Sequence, residues 1–231
     1  MEDLLTQNRD FNDTVKRNIV SLRVSEDLFD DLSDGDPSLS ALAQALESQV
    51  KKDIPPNLID RGFHYTTAIE YPFTHEPYLS SRFGDGSFPI WYGSLALRTA
   101  IHETAYHMMR EELKILDLDE VIYRERAVYD VHCRALLIDL SAKESAYPAL
   151  IQDDYAFTQQ LGRRLQSEGH PGLIAPSARH RGGRNLVMFR RESLSRARLS
   201  CYLTYIFDPQ HLVLTVERQP GKVMARIKYA S

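Results

Sequence analysis

The sequence predicts a mixed α+β fold rather than a doubly wound parallel sheet. Its candidate strands are rich in β-branched and aromatic residues, and candidate helices are interspersed among them only in the first two thirds of the chain. Helical periodicity ahead of the first strand adds an N-terminal helical segment to that core.

That segment covers residues 1–54. Leu4, Leu5, Phe11, Val15, Ile19, Val20 and Leu22 recur at loosely helical spacing. SDGDPS at 33–38 reads as a turn and helix start, followed by Leu39, Leu42, Leu46 and Val50 at spacings of three and four. No dense cluster of catalytic residue types lies here, so a helical cover or interaction arm is expected. The break at Asp53-Ile54-Pro55-Pro56 opens a second unit, residues 55–231. GFHYTT (62–67) is its expected first strand, and a Tyr-, Pro- and Phe-rich loop follows at 70–80. PIWYGS (89–94) is the next strand, leading into a helix over about 95–115. Two strands are expected near 119–126 and 134–141, then a helix near 151–168. GHPGLIAPSARHRGGRNLVMF (169–189) reads as strand, loop, strand, and further strands fall at 200–207, 211–217 and in RIKYA.

The bulk numbers narrow the function. With 43% hydrophobic and 26% charged residues, a chain of 231 residues can bury a sizeable core as one domain with an added segment. Its net charge of -4, from 28 basic and 32 acidic residues, argues against general affinity for nucleic acid. Cys133 and Cys201 lie in apolar contexts without metal-site spacing, which points to buried thiols in a reducing compartment. The charged N-terminus lacks a signal-peptide core, and no window approaches the roughly 20 apolar residues of a membrane span. A cytoplasmic location, with no membrane association, is expected.

Residues 81–107 hold the densest candidate chemistry. Arg82 sits in SRFGDG, where Gly84 and Gly86 would let backbone approach a ligand, and a planar guanidinium suits phosphate. Taken alone, it reads first as an exposed arginine on a surface turn. Tyr92 ends an apolar strand, and Tyr65 occupies a similar place in GFHYTT; each is either a half-buried structural tyrosine or a platform for a planar ring. HETAYH invites a zinc-protease reading, but His102 and His107 are five apart, about 140° around a helix, whereas the four-residue spacing of HExxH gives about 40°. No metal is expected. Glu103 lies off the stripe made by Leu97, Ile101, Thr104 and Met108, with Ala100 and His107 beside it. It is either a solvated side chain or a carboxylate at the rim of a cleft, able to accept a ribose hydroxyl. The loop APSARHRGGRN (175–185) adds Ser177, Arg179, Arg181 and Arg184 at strand ends, with no GxSxG and no triad partners for a nucleophilic serine.

Together these blocks resemble the RES domain, named for its Arg, Glu and Ser. SRFGDGSFPIWYGSLALRTAIHET is similar to the family's arginine loop, tyrosine-ended strand and glutamate helix. GHPGLIAPSARHRGGRNLVMF resembles its serine block, including the asparagine before the closing strand, and FTQQLGRRLQSEG resembles the helix ahead of it. The resemblance covers about residues 60–190. It implies a mostly antiparallel, ADP-ribosyltransferase-like sheet core with flanking helices, NAD as substrate, and the role of toxin in a toxin–antitoxin pair. The partner implied is an Xre-type antitoxin, and the N-terminal segment is a candidate for that contact or for a homodimer.

The family's roles carry over to Arg82, Glu103 and Ser177, with Tyr92 as the strand-end tyrosine. Arg82, helped by Arg179 or Arg184, would hold the pyrophosphate. Tyr65 or Tyr92 would stack on nicotinamide, Glu103 would bind the nicotinamide ribose and stabilise an oxocarbenium-like transition state, and Ser177 would bind nicotinamide or a phosphate. Asn185 belongs to the same block. Many members have an arginine in the first strand, where this chain has His64 and Tyr65, with Arg61 the nearest arginine. That pair is similar to the His and Tyr positions of some ADP-ribosyltransferases. Water, phosphate, or a protein or nucleotide group would each serve as acceptor, and a non-catalytic binding module is the alternative from another class.

Overall fold

The computed structural model describes residues 2–21, 66–74, 76–115 and 119–229. His64, Tyr65 and Arg61 lie outside the described residues, as does most of the expected N-terminal helical segment. The described residues build an eight-stranded, mostly antiparallel sheet: β1 (Asn8–Val20), β2 (Trp91–Ser94), β3 (Ile122–Asp139), β4 (Gly172–Pro176), β5 (Arg184–Met188), β6 (Leu194–Asp208), β7 (Val213–Glu217) and β8 (Val223–Lys228). Two helices flank it, α1 (Leu97–Glu112) and α2 (Ala156–Ser167). Among the described residues no helix is long and apolar enough to cross a membrane.

The described part of the N-terminal segment corrects the sequence reading. After one 3-10 turn at Glu2–Leu5, residues 8–20 form a strand, not a helix. Phe11, Val15 and Ile19 are four apart, and that spacing satisfies both a helical period and the two-residue period of a strand. Tertiary pairing decides between them: all thirteen residues of β1 lie opposite β3, and the three side chains enter the core with Trp91, Tyr129 and Val131. The expected strand GFHYTT also differs where it is described, because Thr66 opens a helical segment, Thr66–Glu70 continuing as Tyr71–Thr74. The two strands expected near 119–126 and 134–141 are one strand, β3, since Ala127, Tyr129, Val131 and Cys133 keep an alternating apolar face through the middle.

The length of β3 organises the sheet. One edge carries β1; the other carries β6 along Ile122–Cys133 and then β4, in parallel, at Ile138–Asp139. Irregularities at Val128/Tyr129 and Asp130/His132 accompany this change of partner. Strand β4 pairs with β5, β5 with β2, and β2 touches β1 at Lys16 and Ser94, so five strands form a closed circuit.

Helix α1 packs Ile101, Ala105, Met108 and Met109 onto Val128, Leu203, Tyr205 and Phe207. Helix α2 places Leu161 and Leu165 against Phe83, Leu140, Leu173 and Val187. Between these groups, fully buried Trp91 donates its indole N–H to the Ala68 carbonyl at 2.7 Å. The approach of α2 to the loop ahead of β2 needs glycine, because a Cβ on Gly162 would lie 1.9 Å from the Phe83 carbonyl oxygen. Gly162→Ala is therefore expected to cost about 1–3 kcal/mol and lower the melting temperature by several degrees, roughly 2–4 °C per kcal/mol. An unchanged melting curve would contradict this packing.

Candidate active site

The loop before β2 is fixed by Tyr92. Its hydroxyl accepts from the Phe83 N–H at 2.9 Å and shares a hydrogen bond with Ser81 Oγ at 2.8 Å. Burial pushes the Tyr92 phenol up to about 12, so it stays protonated. From α2, Gln159 donates to the Ser81 carbonyl at 3.0 Å. The residue so presented is Arg82, whose guanidinium lies 4.6 Å from the centre of the Tyr155 ring and donates to the Gln152 carbonyl. Burial draws the Arg82 pKa below its ordinary value.

Across the cleft stands Glu103, on the second turn of α1. Its Oε1 accepts from Ser177 Oγ at 2.6 Å and from Asn185 Nδ2 at 2.6 Å. Asn185 is itself held, because its Oδ1 accepts from Ser94 Oγ at 2.7 Å. Strand register explains the convergence: Ser94 lies opposite Asn185 across β2 and β5, and Asn185 opposite Ala175 across β5 and β4. The chain then turns at Ser177, whose N–H donates to the Gly183 carbonyl at 2.9 Å and whose Oγ accepts from the His180 N–H at 2.9 Å and the Arg179 N–H at 3.2 Å. With its acceptor positions taken by two backbone N–H groups, the hydroxyl directs its proton to Glu103. Among the described residues, Glu103 Oε2 makes no hydrogen bond.

The cleft between these groups has a volume of about 290 Å³, and its lining includes Arg17, Arg82, Tyr92, Glu103, Tyr155 and Asn185. Arg17 reaches it from β1. Its Nη1 donates to the Tyr92 carbonyl at 2.6 Å and its guanidinium lies 5.3 Å from the Trp91 ring centre. Burial, with Arg126 nearby, lowers its pKa to about 10, which leaves it cationic at neutral pH. Its Nε is buried without an acceptor among the described residues. A partly buried cation with an unused donor, lining a cleft, is suited to an anion.

Of the residues singled out in the sequence, Arg82, Tyr92, Glu103, Ser177 and Asn185 come together. Arg179 lies outside the cleft lining, over the Tyr106 ring at 3.4 Å and paired with Asp153. Arg181 and Arg184 are exposed, and neither lines the cleft. Ser177 and Asn185 both spend hydrogen bonds on Glu103 rather than being left free for a ligand. The two histidines of HETAYH diverge: His102 stacks on His180 with ring centres 4.8 Å apart, whereas His107 lines the cleft. Among the described residues no group of three His, Cys, Asp or Glu side chains could hold a metal ion.

Sequence reading missed Arg17, Ser94 and Tyr155. Arg17 did carry a signal. In a strand it shares a face with Phe11, Val15 and Ile19, an arginine among inward-facing apolar residues. Ser94 and Tyr155 carried none, since a serine and a tyrosine near element ends are commonplace.

Among curated proteins none matches the sequence. Among solved structures, one that matches is the M. tuberculosis MbcT–MbcA toxin–antitoxin complex, with 14% identity over 88% of each chain and a TM-score of 0.44. The family model for the RES domain matches residues 55–208. That span holds Arg82, Glu103 and Ser177 and runs from before β2 to the end of β6, and by this match the chain belongs to the RES domain family.

Proposed function

We propose that the protein degrades NAD by cleaving the nicotinamide–ribose bond, with water or phosphate as acceptor, and that it is the toxin of a toxin–antitoxin pair. The observation that carries this reading is the asymmetric Glu103 carboxylate. One oxygen is pinned by Ser177 and Asn185, and the other has no hydrogen bond among the described residues, beside a cleft that also holds arginines. A carboxylate preoriented in this way can accept a ribose hydroxyl and stabilise positive charge as it develops at the anomeric carbon.

The chemistry asks little more of the protein. Nicotinamide leaves NAD as a neutral molecule with the electron pair of the broken C–N bond. The ribosyl cation is captured by water, which loses a proton and gives ADP-ribose, or by phosphate, which gives the 1-phosphate of ADP-ribose. Arg82 and Arg17 supply fixed positive charge for the pyrophosphate, and Tyr155 and Tyr92 supply aromatic surface on the cleft wall. Ser177 acts through Glu103 in this scheme, and Asn185 does the same. Cytoplasmic action, an Xre-type antitoxin that covers the cleft, and a homodimer belong to the same proposal.

Purified protein incubated with NAD should release nicotinamide, in water or in phosphate buffer, and Glu103→Ala should lower turnover by at least about a hundredfold. Expression of the wild type should arrest growth, and Glu103→Ala should relieve it. ADP-ribose attached to protein or nucleotide would favour the transferase alternative. No turnover above the Glu103→Ala level with any acceptor would defeat the proposal. Arg17→Met should raise KM for NAD about ten- to hundredfold, as loss of a charged hydrogen bond does, with a smaller change in kcat. Arg17→Lys should restore part of that affinity. A KM equal to wild type in Arg17→Met would remove Arg17 from the substrate site.

A further inference from the structure

Arg82, which lines the cleft, and Arg179 together already hold an anion of the protein's own. Arg82 comes from the loop ahead of β2 and Arg179 from the turn after β4, 97 positions apart in sequence by their numbers (179 minus 82). Both turn to the same side chain: Arg179 pairs directly with Asp153 Oδ1, and Arg82 Nη2 lies 3.8 Å from the same oxygen. Each arginine side chain is only 13% exposed, whereas the Asp153 side chain is 65% exposed. Two largely buried guanidiniums thus converge on one carboxylate that stands in solvent. That is the arrangement expected of a clamp for an external oxyanion, since surface architecture alone gives no reason to bury the cations and expose the anion.

The segment bearing Asp153 is anchored at both ends and exposed between them. Leu150 is fully buried in the core beside Phe83 and Leu161, and Tyr155 leads into α2 with its ring under Arg82. Residues 151–154 between them are exposed. The Gln152 carbonyl and the Tyr155 ring hold Arg82 independently of Asp153, so the carboxylate can swing away while the arginine keeps its place. The arginines hold the Asp153 pKa below the usual carboxylate range, which keeps it anionic at neutral pH.

We infer that Asp153 is an internal anion that occupies the Arg82–Arg179 clamp in the free protein and must be displaced by an incoming phosphate-bearing ligand. The inference rests on the assignment of Arg82 to an anionic ligand in the proposed function, and it adds that Arg179 joins it and that ligand affinity is set by competition with Asp153.

Binding of inorganic pyrophosphate, measured by calorimetry, tests this apart from catalysis. Asp153→Asn and Asp153→Ala should each tighten pyrophosphate binding about two- to fivefold, the range expected when a partly exposed ion pair no longer competes. Asp154→Asn removes the same charge one residue away, from a carboxylate that accepts from the Ala156 N–H at 2.9 Å and is not paired with either arginine; it should change affinity less than about twofold. Arg179→Met should weaken binding in every background. Equal effects of Asp153→Asn and Asp154→Asn would reduce the result to general charge and overturn the inference. So would weaker binding in the Asp153 variants, or no pyrophosphate binding by any of them. NAD turnover by the wild type is scored separately: its absence would remove the proposed reaction while tighter pyrophosphate binding by Asp153→Asn would still establish the clamp.

Discussion

Strand β3 pairs with β1 along one edge and with β6 and then β4 along the other. That edge therefore forks, with β6 antiparallel and β4 parallel to β3. Helix α1 packs on β6, and the short strands β4, β5 and β2 circle back to β1. The cleft lies where α1 faces β1 and the short strands, so its walls are elements that β3 holds together from both edges.

The walls then meet through few polar contacts. Glu103 on α1 reaches the ends of β4 and β5, where Ser177 and Asn185 meet it at 2.6 Å each. Ser94 anchors Asn185, so three strands are tied to one carboxylate oxygen. The same economy holds at Tyr92. Its hydroxyl positions the Arg82 loop and its carbonyl accepts from Arg17, so one residue sets two cations around the cleft. Substrate need not order these groups on arrival, which is how a rigid site turns binding into selective stabilisation of developing charge.

Much of this was legible in the sequence, and the limits have physical causes. Arg82, Glu103 and Ser177 stand out as candidates because they lie in blocks of turn and strand-end residues whose order is distinctive. The hydrogen bond from Ser177 to Glu103 does not, since whether a hydroxyl meets a ligand or a carboxylate depends on backbone N–H groups of residues two and three positions on. The N-terminal strand was read as a helix because a spacing of four fits both periods, and the partner that decides, β3, lies more than a hundred residues away. With β1 misread, Arg17 was invisible as a site residue. The fork in β3 is also hidden, because nothing in the residue pattern of 127–139 marks where one neighbour yields to another.

In the proposed reaction Ser177 acts through Glu103 and not on its own. A double-mutant cycle on kcat for NAD cleavage, with Ser177→Ala, Glu103→Gln and the pair, measures that dependence most directly. If the two act as one unit, the double variant will be no slower than Glu103→Gln, within about 0.5 kcal/mol in activation free energy. If the two losses multiply, Ser177 has a contact of its own with the reacting molecule and the Glu103-centred account is wrong.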